Sequence, residues 1–500
     1  MTVSCSRLLL FLLPLLCSTY FFPRWADVNV NSRLDMVVAL VHDGTARIDR
    51  YVHNTVDYAI VDGHYYSDKA PGAALLGVPL YAAFALLFEL PIVQSMAERL
   101  ADHGAFRATL REDGTGVSVE KVRFALAQVW LSFALAAVPT ALLCVLMHDY
   151  LLLHGASRGA TVAVPLLYAL ASPAFAYANA FYGHQLAALL LFAAFVIVCR
   201  SVLNSERAGE DVRGNLPADS KGKAEISLGF FTGLLLGYAV VTEYPAVIVA
   251  GIIFVYAAWN WMQRRRLGAL FAMSAGGAIC AALLMLYNTL VFGGPLQLGY
   301  ARSTLWTAQH STGLFSLGLP QPEVFYELTL GIFRGLFVLS PVLLLAVPGF
   351  VVWLRSGDRR GQALVALAAT GGMLLFNASS AMWWGGWGVG PRYMLPGLPF
   401  MALALSFVLR SSSGWRAMLV LGAASVVATW SMTTAGQSFP SDELRNPWID
   451  HVLPAWAVGD IARSWGTLLG MRGLAALMPL VFLGGITLGL WRWTGKRSRI

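Results

Sequence analysis

The densest chemistry in the chain lies in Asp62-Gly63-His64-Tyr65-Tyr66-Ser67-Asp68-Lys69-Ala70-Pro71-Gly72. Here an acid stands beside a lysine. A carboxylate can take a proton from an acceptor hydroxyl while an adjacent ammonium neutralises a phosphate leaving group. The bland alternative is two solvated loop charges ahead of a helix start. Pro71-Gly72 fixes the geometry with which the chain enters its next apolar run, which favours a built site. A second run is Trp383-Trp384-Gly385-Gly386-Trp387-Gly388-Val389-Gly390-Pro391-Arg392-Tyr393. Its glycines let backbone approach a ligand closely, and Arg392 carries a fork of donors suited to phosphate. Its tryptophans are equally well explained as an interfacial belt.

Other candidates are scattered along the chain. Arg334, near a helix start, either pairs with an acid or joins Lys69 and Arg392 in binding an anion. His184, in Phe181-Tyr182-Gly183-His184-Gln185, is a cap or a ligand contact. Glu243, in Thr242-Glu243-Tyr244-Pro245, reads first as a turn residue. Asp35 stands with Asp68 as a candidate catalytic acid. Arg33, Asp57, Tyr66, His184, Glu243, Trp387 and Tyr393 complete the expected cavity lining. No spacing of His, Cys, Asp and Glu forms a metal-ligand cluster; a divalent ion stays open as a cofactor, but nothing calls for one.

The elements that must position these residues are apolar. The chain has 500 residues, of which 57% are hydrophobic and only 12% charged, and its mean hydropathy is +0.63. Soluble domains carry roughly 25% charged residues, so a soluble fold is excluded. Runs of about 20 apolar residues recur along the whole length, as spanning helices require. The net charge of +8 is explained by basic residues gathering in cytoplasmic loops, without any need for nucleic acid. Cys5, Cys17, Cys144, Cys199 and Cys280 show no paired spacing. Residues 1–26 imitate a signal peptide, but Leu16 before Cys17 suits lipoprotein cleavage poorly, and an uncleaved first helix is expected.

The pattern predicts an all-α polytopic membrane protein. Its twelve spans are placed near 6–23, 124–147, 159–178, 185–203, 226–242, 245–262, 267–291, 331–353, 361–380, 393–410, 415–434 and 473–492. The apolar run 72–94 is ambiguous, because it holds Pro79, Glu89 and Pro91. If it does not cross and the N-terminus is inside, Arg158, the 200–223 cluster, Arg264-Arg265-Arg266, Arg355, Arg359, Arg360, Arg410, Arg416 and the basic tail all face the cytoplasm. If it crosses, every later loop inverts. A re-entrant hairpin or interfacial helix is therefore expected. Both termini are then cytoplasmic, and a large first external loop at 24–123 carries juxtamembrane helices. Further external regions fall at 292–328 and 435–472, and 204–225 reads as a flexible linker. The expected organisation is a transmembrane module over 1–434, followed by an external loop and final span over 435–500.

On these residues the chain resembles the C-type integral-membrane glycosyltransferases that use polyprenyl-phosphate sugars. The nearest are the family 39-like group, with the protein O-mannosyltransferases and the lipid A aminoarabinose transferases. The resemblance runs in order over most of the chain and is diffuse outside a few motifs. Ser67-Asp68-Lys69-Ala70-Pro71 is similar to that family's acid, Lys or His, Pro-Pro run, with Ala70 for the first proline. Glu243-Tyr244-Pro245 resembles its Thr-Lys-x-Pro-like turn, and Pro391-Arg392-Tyr393-Met394-Leu395-Pro396 its late Arg-Tyr-x-x-Pro motif. One departure matters. The family takes its catalytic base from an Asp-Glu pair two residues before an Arg, whereas Val30-Asn31-Ser32-Arg33 has no acid and is only flanked by Asp27 and Asp35.

The resemblance implies an inverting glycosyltransferase of a bacterial-type inner (cytoplasmic) membrane, with its active site on the external or periplasmic side. Asp35 or Asp68 would be the base, and Lys69, Arg392 and Arg334 would hold the lipid phosphate. Expected partners are a polyprenyl-phosphate sugar donor, a glycan, lipid or protein acceptor, and membrane lipids. The rival expectation is a transporter or flippase of a lipid-linked anionic glycan. It calls for discontinuous spans in matching halves, which the sequence does not show. A non-catalytic membrane scaffold would leave the acid–lysine pair unexplained.

Overall fold

The computed structural model describes residues 3–102, 119–210, 218–312, 316–357 and 359–497. The rear of the expected first loop (103–118), the middle of the 204–225 linker and the tip of the basic tail lie outside the described residues.

A lipid core offers backbone groups no partner, so each apolar run closes its own hydrogen bonds as a helix. Among the described residues eight helices are long and apolar enough to cross a membrane. They are Glu120–Leu153, His184–Leu203, Gly222–Thr242, Ala246–Gln263, Leu267–Phe292, Arg360–Ser379, Ser412–Thr434 and Gly473–Trp491. The remaining four expected spans coincide with the apolar helices Val3–Thr19, Arg158–Leu170, Pro341–Arg355 and Leu398–Val408, which are only 10–17 residues long. At 1.5 Å per residue they reach roughly 15–25 Å, against a hydrocarbon core of about 30 Å. Twelve full spans are therefore not reached. Pro173, Pro341 and Pro396 fall at the ends of three of these helices and stop them from continuing.

The ambiguous run breaks into Gly72–Phe88 and Pro91–Ala101, which meet at 90°. Leu90 is extended and Pro91 opens the second helix, so the chain turns where proline forbids continuation. Glu89 at the bend lies 3.6 Å from Arg123, near the start of Glu120–Leu153. One small sheet interrupts the all-α expectation: Ala59–Val61 pairs antiparallel with His64–Tyr66. Asp62 and Gly63 turn between them at φ 50° and 79°. Asp-Gly is the dipeptide that a two-residue hairpin turn favours, so the start of the polar run is a turn and only its end carries charge chemistry.

Close approaches of small residues bring the polar segments to one end of the bundle. A Cβ on Gly72 would lie 2.7 Å from the Thr242 backbone, and one on Gly183 would lie 2.6 Å from Glu243 Oε1. Gly229, Gly233 and Gly237 seat Gly222–Thr242 against Ala269, Met273 and Cys280 of Leu267–Phe292, the small-residue contact expected inside a membrane. The 435–472 region is tied to the end of the first helix. Phe22 N donates to Arg463 O at 2.8 Å, and Trp465 N donates to Tyr20 O at 3.1 Å.

Candidate active site

The helix Val28–His42 is capped by Asp27, whose carboxylate accepts from Asn29 N and Val30 N at 3.0 and 3.1 Å. Its Ser32 hydroxyl meets that of Ser67 at 2.9 Å, which anchors the Asp68-Lys69 pair to the helix. Lys69 Nζ lies 2.7 Å from Asp57 Oδ1 and 2.9 Å from Asp68 Oδ1, with all three residues buried. Burial works against the charged lysine, but the fields of Asp57 and Asp68 outweigh it and raise its pKa. Burial and the neighbouring Asp68 push the Asp57 carboxyl up, against the pull of Lys69. With two carboxyls within 3 Å of its ammonium, Lys69 has its charge met before any ligand arrives. Its remaining side faces the Tyr300 ring at 5.4 Å, and Gly299 has no room for a side chain because it lies on the Asp68 backbone.

Glu243 is more than a turn residue. Its Oε1 accepts from Arg33 Nη2 at 3.2 Å and from Gly183 N at 3.1 Å, and it lies 3.4 Å from His184 Nδ1. Arg33 also donates to Asn29 Oδ1. The His184 ring stacks on Tyr182 with centroids 5.4 Å apart and stands 6.4 Å from Tyr393. Its Nε2 is buried without a hydrogen-bond partner.

Arg334 is spent on the glycine loop. It donates to the carbonyls of Trp384 at 3.1 Å, Gly388 at 2.6 Å and Gly386 at 2.8 Å. Burial lowers its pKa to about 10. Its geometry is that of a brace, with donors from all three guanidinium nitrogens on these carbonyls. Gly385, Gly386 and Gly390 hold φ values of 71°, 67° and 62°, which favour glycine. The braced loop rests on Arg392: a Cβ on Gly385 would stand 3.0 Å from Arg392 Nε.

Arg392 is the cation with capacity to spare. Its guanidinium carbon lies 5.3 Å from the Tyr182 ring centre and 5.5 Å from that of Tyr393. Among the described residues no carboxylate forms an ion pair with it, and its Nε has no hydrogen-bond partner. Its field reaches both Asp27 and Asp57. Asp27, half-buried, accepts from the Tyr182 hydroxyl at 2.8 Å, and burial raises its pKa.

Asp57, Asp68, Lys69, Arg33, Glu243, His184, Arg392 and Tyr393 therefore share one region, linked through Tyr182 and Tyr300. Three expected residues lie apart from it. Asp35 is completely buried, accepts from Asn54 Nδ2 at 3.1 Å and leaves Oδ2 without a partner. Tyr66 accepts from Arg47 Nε at 3.2 Å and packs on Phe292. Trp387 is 53% exposed at the rim. Sequence reasoning misses Tyr182, which its neighbour His184 overshadows, and finds Asp27 only as a flank of the missing acidic pair.

An apolar cavity of about 600 Å³ opens among Gly222–Thr242, Ala246–Gln263 and Leu267–Phe292, lined by Val240, Leu284, Met285 and Leu296 and ending at Tyr244 and Tyr300. Those two rings stand 5.9 Å apart, and Tyr300 is the ring that faces Lys69. Among the described residues no group of three or more His, Cys, Asp and Glu is arranged to hold a metal.

No protein-family description and no curated protein matches the chain. Two solved structures do. The apo form of the oligosaccharyltransferase of Archaeoglobus fulgidus shows 13% identity and a TM-score of 0.43, over 85% of this chain and 55% of that one. The archaeal oligosaccharyltransferase AglB of the same organism, in complex with an inhibitory peptide and a dolichol-phosphate, shows 12% identity and a TM-score of 0.44, over 86% and 55%. The chain thus spans about half the length of the proteins it matches. This is a loose likeness of shape, and the functional reading rests on the chain's own residues.

Proposed function

We propose that this protein is an inverting glycosyltransferase that moves a sugar from a polyprenyl-phosphate donor to an acceptor on the external face of the membrane. The observation that carries this reading is Arg392. It is an uncompensated guanidinium held in a braced aromatic setting, in the same region as an apolar groove able to take a prenyl chain. The acceptor hydroxyl gives its proton to a carboxylate, and its oxygen attacks the anomeric carbon. The bond from that carbon to the phosphate oxygen breaks, and the electron pair leaves with the lipid phosphate. Arg392 meets the charge that develops there, already positioned and partly shielded from water. Asp27 suits the base better than Asp35 or Asp68, because a base must reach the hydroxyl and those two acids have no exposed surface. Its raised pKa brings it closer to working pH. Lys69, Asp57 and Asp68 form the floor beside Tyr300.

The test is transfer by the purified full chain, supplied with radiolabelled polyprenyl-phosphate sugars and membrane extract. Label should reach an acceptor, and both Arg392→Ala and Asp27→Asn should lose that transfer. Lipid crossing liposome bilayers with no sugar transferred would overturn the enzyme in favour of a flippase.

A further inference from the structure

A second guanidinium acts on Asp27, and the transfer step gives it no part. Arg24 stands three residues before Asp27, in the link between Val3–Thr19 and Val28–His42. The turn between the two residues closes with Asp27 N donating to Arg24 O at 3.1 Å. Arg24 is fixed from two sides. Its Nη2 donates to Thr433 O at 2.5 Å, and its guanidinium carbon lies 4.0 Å from the Phe439 ring centre. Its Nε has no hydrogen-bond partner, and among the described residues no carboxylate forms an ion pair with it.

The supports of Arg24 and Arg392 meet in one aromatic wall. Phe439 packs on Tyr177 with ring centres 5.5 Å apart, and Tyr177 stands 5.4 Å from Tyr182. Pro440, next to Phe439, accepts from Gly388 N in the glycine loop at 3.3 Å. Asp27 joins this wall through the Tyr182 hydroxyl. Burial pushes the Asp27 carboxyl up, while Val30 N, the Tyr182 hydroxyl, Arg392 and Arg24 pull it down. Tyr177 also feels Asp27. The other charged and titratable groups on the Tyr182 ring are Arg33, which is paired with Glu243, and His184, which stacks on it.

A lipid phosphate on Arg392 brings a negative charge of its own and offsets the pull of that guanidinium. Like charges brought close disfavour the ionised state, so Asp27 would take up a proton when a base is needed. Arg24 is the cation whose charge the phosphate leaves unspent. We propose that Arg24 is a positioning residue, held beside Asp27 to keep that base ionised while the donor phosphate occupies Arg392. This role rests on the transfer reaction proposed above and adds a residue to it. With Phe439 against its guanidinium and a donor on Thr433, Arg24 works through its field and not by touching substrate.

The test is the pH dependence of transfer by the purified full chain, with radiolabelled polyprenyl-phosphate sugar varied against a fixed membrane extract. The profile of kcat reports the donor-bound enzyme, and that of kcat/KM the free one. In the parent, the acid limb of kcat should lie at higher pH than that of kcat/KM. Arg24→Gln, which still offers Thr433 a donor, removes a positive charge and should move both limbs up by about one pH unit. Its rate should return to the parent's at the alkaline plateau, which a merely structural loss would not do. Arg24→Lys should restore the parent's limbs with its charge alone. His451 is another titratable group in the field of Arg24, and His451→Gln should leave the limbs in place. Coincident limbs in the parent overturn the proposal and leave the enzyme standing. So do unmoved limbs in Arg24→Gln, a loss that persists at the alkaline plateau, or limbs that move in His451→Gln. No transfer by the parent at any pH overturns the enzyme and the proposal together.

Discussion

Lys69 and Arg392 are two cations of one site in opposite electrostatic states. Lys69 is buried between two carboxylates at 2.7 and 2.9 Å, and its charge is already used. Arg392 has aromatic faces around it and no paired acid among the described residues. A motif that contains a lysine does not supply a free positive charge. What decides is how many carboxylates the fold brings to it, and here the second one, Asp57, comes from eleven residues before the acid–lysine pair. Under the proposed function, phosphate binding falls to Arg392 and structural work to Lys69.

The largest effect is expected at Arg392. Arg392→Ala should lower transfer by about 10²–10³-fold, the loss typical of removing one transition-state donor, with melting temperature little changed. Arg392→Lys should recover only part of the rate, because a point charge does not reproduce the fork. If transfer survives Arg392→Ala, the contrast between the two cations collapses. Next comes Asp27→Asn, which should cost at least about 10²-fold in transfer as the loss of a general base. Asparagine caps a helix as well as aspartate does, so the fold should hold, and circular dichroism separates the two effects.

Lys69→Met should act on stability. It leaves Asp57 and Asp68 buried without compensation, a loss of about 3–5 kcal/mol for a broken buried pair. The sharper variant replaces all three together, Asp57→Asn, Asp68→Asn and Lys69→Met, which removes the charges along with their need for one another. If Lys69 is a strut, this triple variant should regain stability and keep measurable transfer. If Lys69 binds phosphate, it should be stable and inactive.

Much of the architecture was legible in the sequence, because apolar length is a strong signal in lipid. All twelve expected spans coincide with apolar helices, and only their lengths separate eight full spans from four short ones. The hairpin is legible too, in Asp62-Gly63, but a strongly helical composition masks it. Site membership is harder. Motif proximity finds Lys69, Glu243 and Arg392, yet not the states they are in. That Arg334 spends its donors on carbonyls fifty or more residues later is a fact of long-range packing. Nothing in the residues around Arg334 announces it.

Asp35 offers the smallest effect and the cleanest control on the acids. It is completely buried, with one hydrogen bond from Asn54 and no ion pair among the described residues. Burial raises its pKa well above the usual carboxylate range, against the smaller pulls of Asn54 and Lys121. The folded chain therefore holds this proton more tightly than the unfolded chain, whose aspartate titrates near about 3.9. The stabilisation this provides is complete below that value and is lost as pH rises through the raised folded-state pKa. Asp35→Asn keeps the shape and removes the titration. Its melting temperature should match or exceed that of the parent at pH 7, and the fall in stability with rising pH across that window should flatten. Transfer should change less than twofold, because Asp35 lies outside the region shared by Asp27 and Arg392. A loss in Asp35→Asn as large as that in Asp27→Asn would return the base to Asp35 and move the reacting centre toward Asn54.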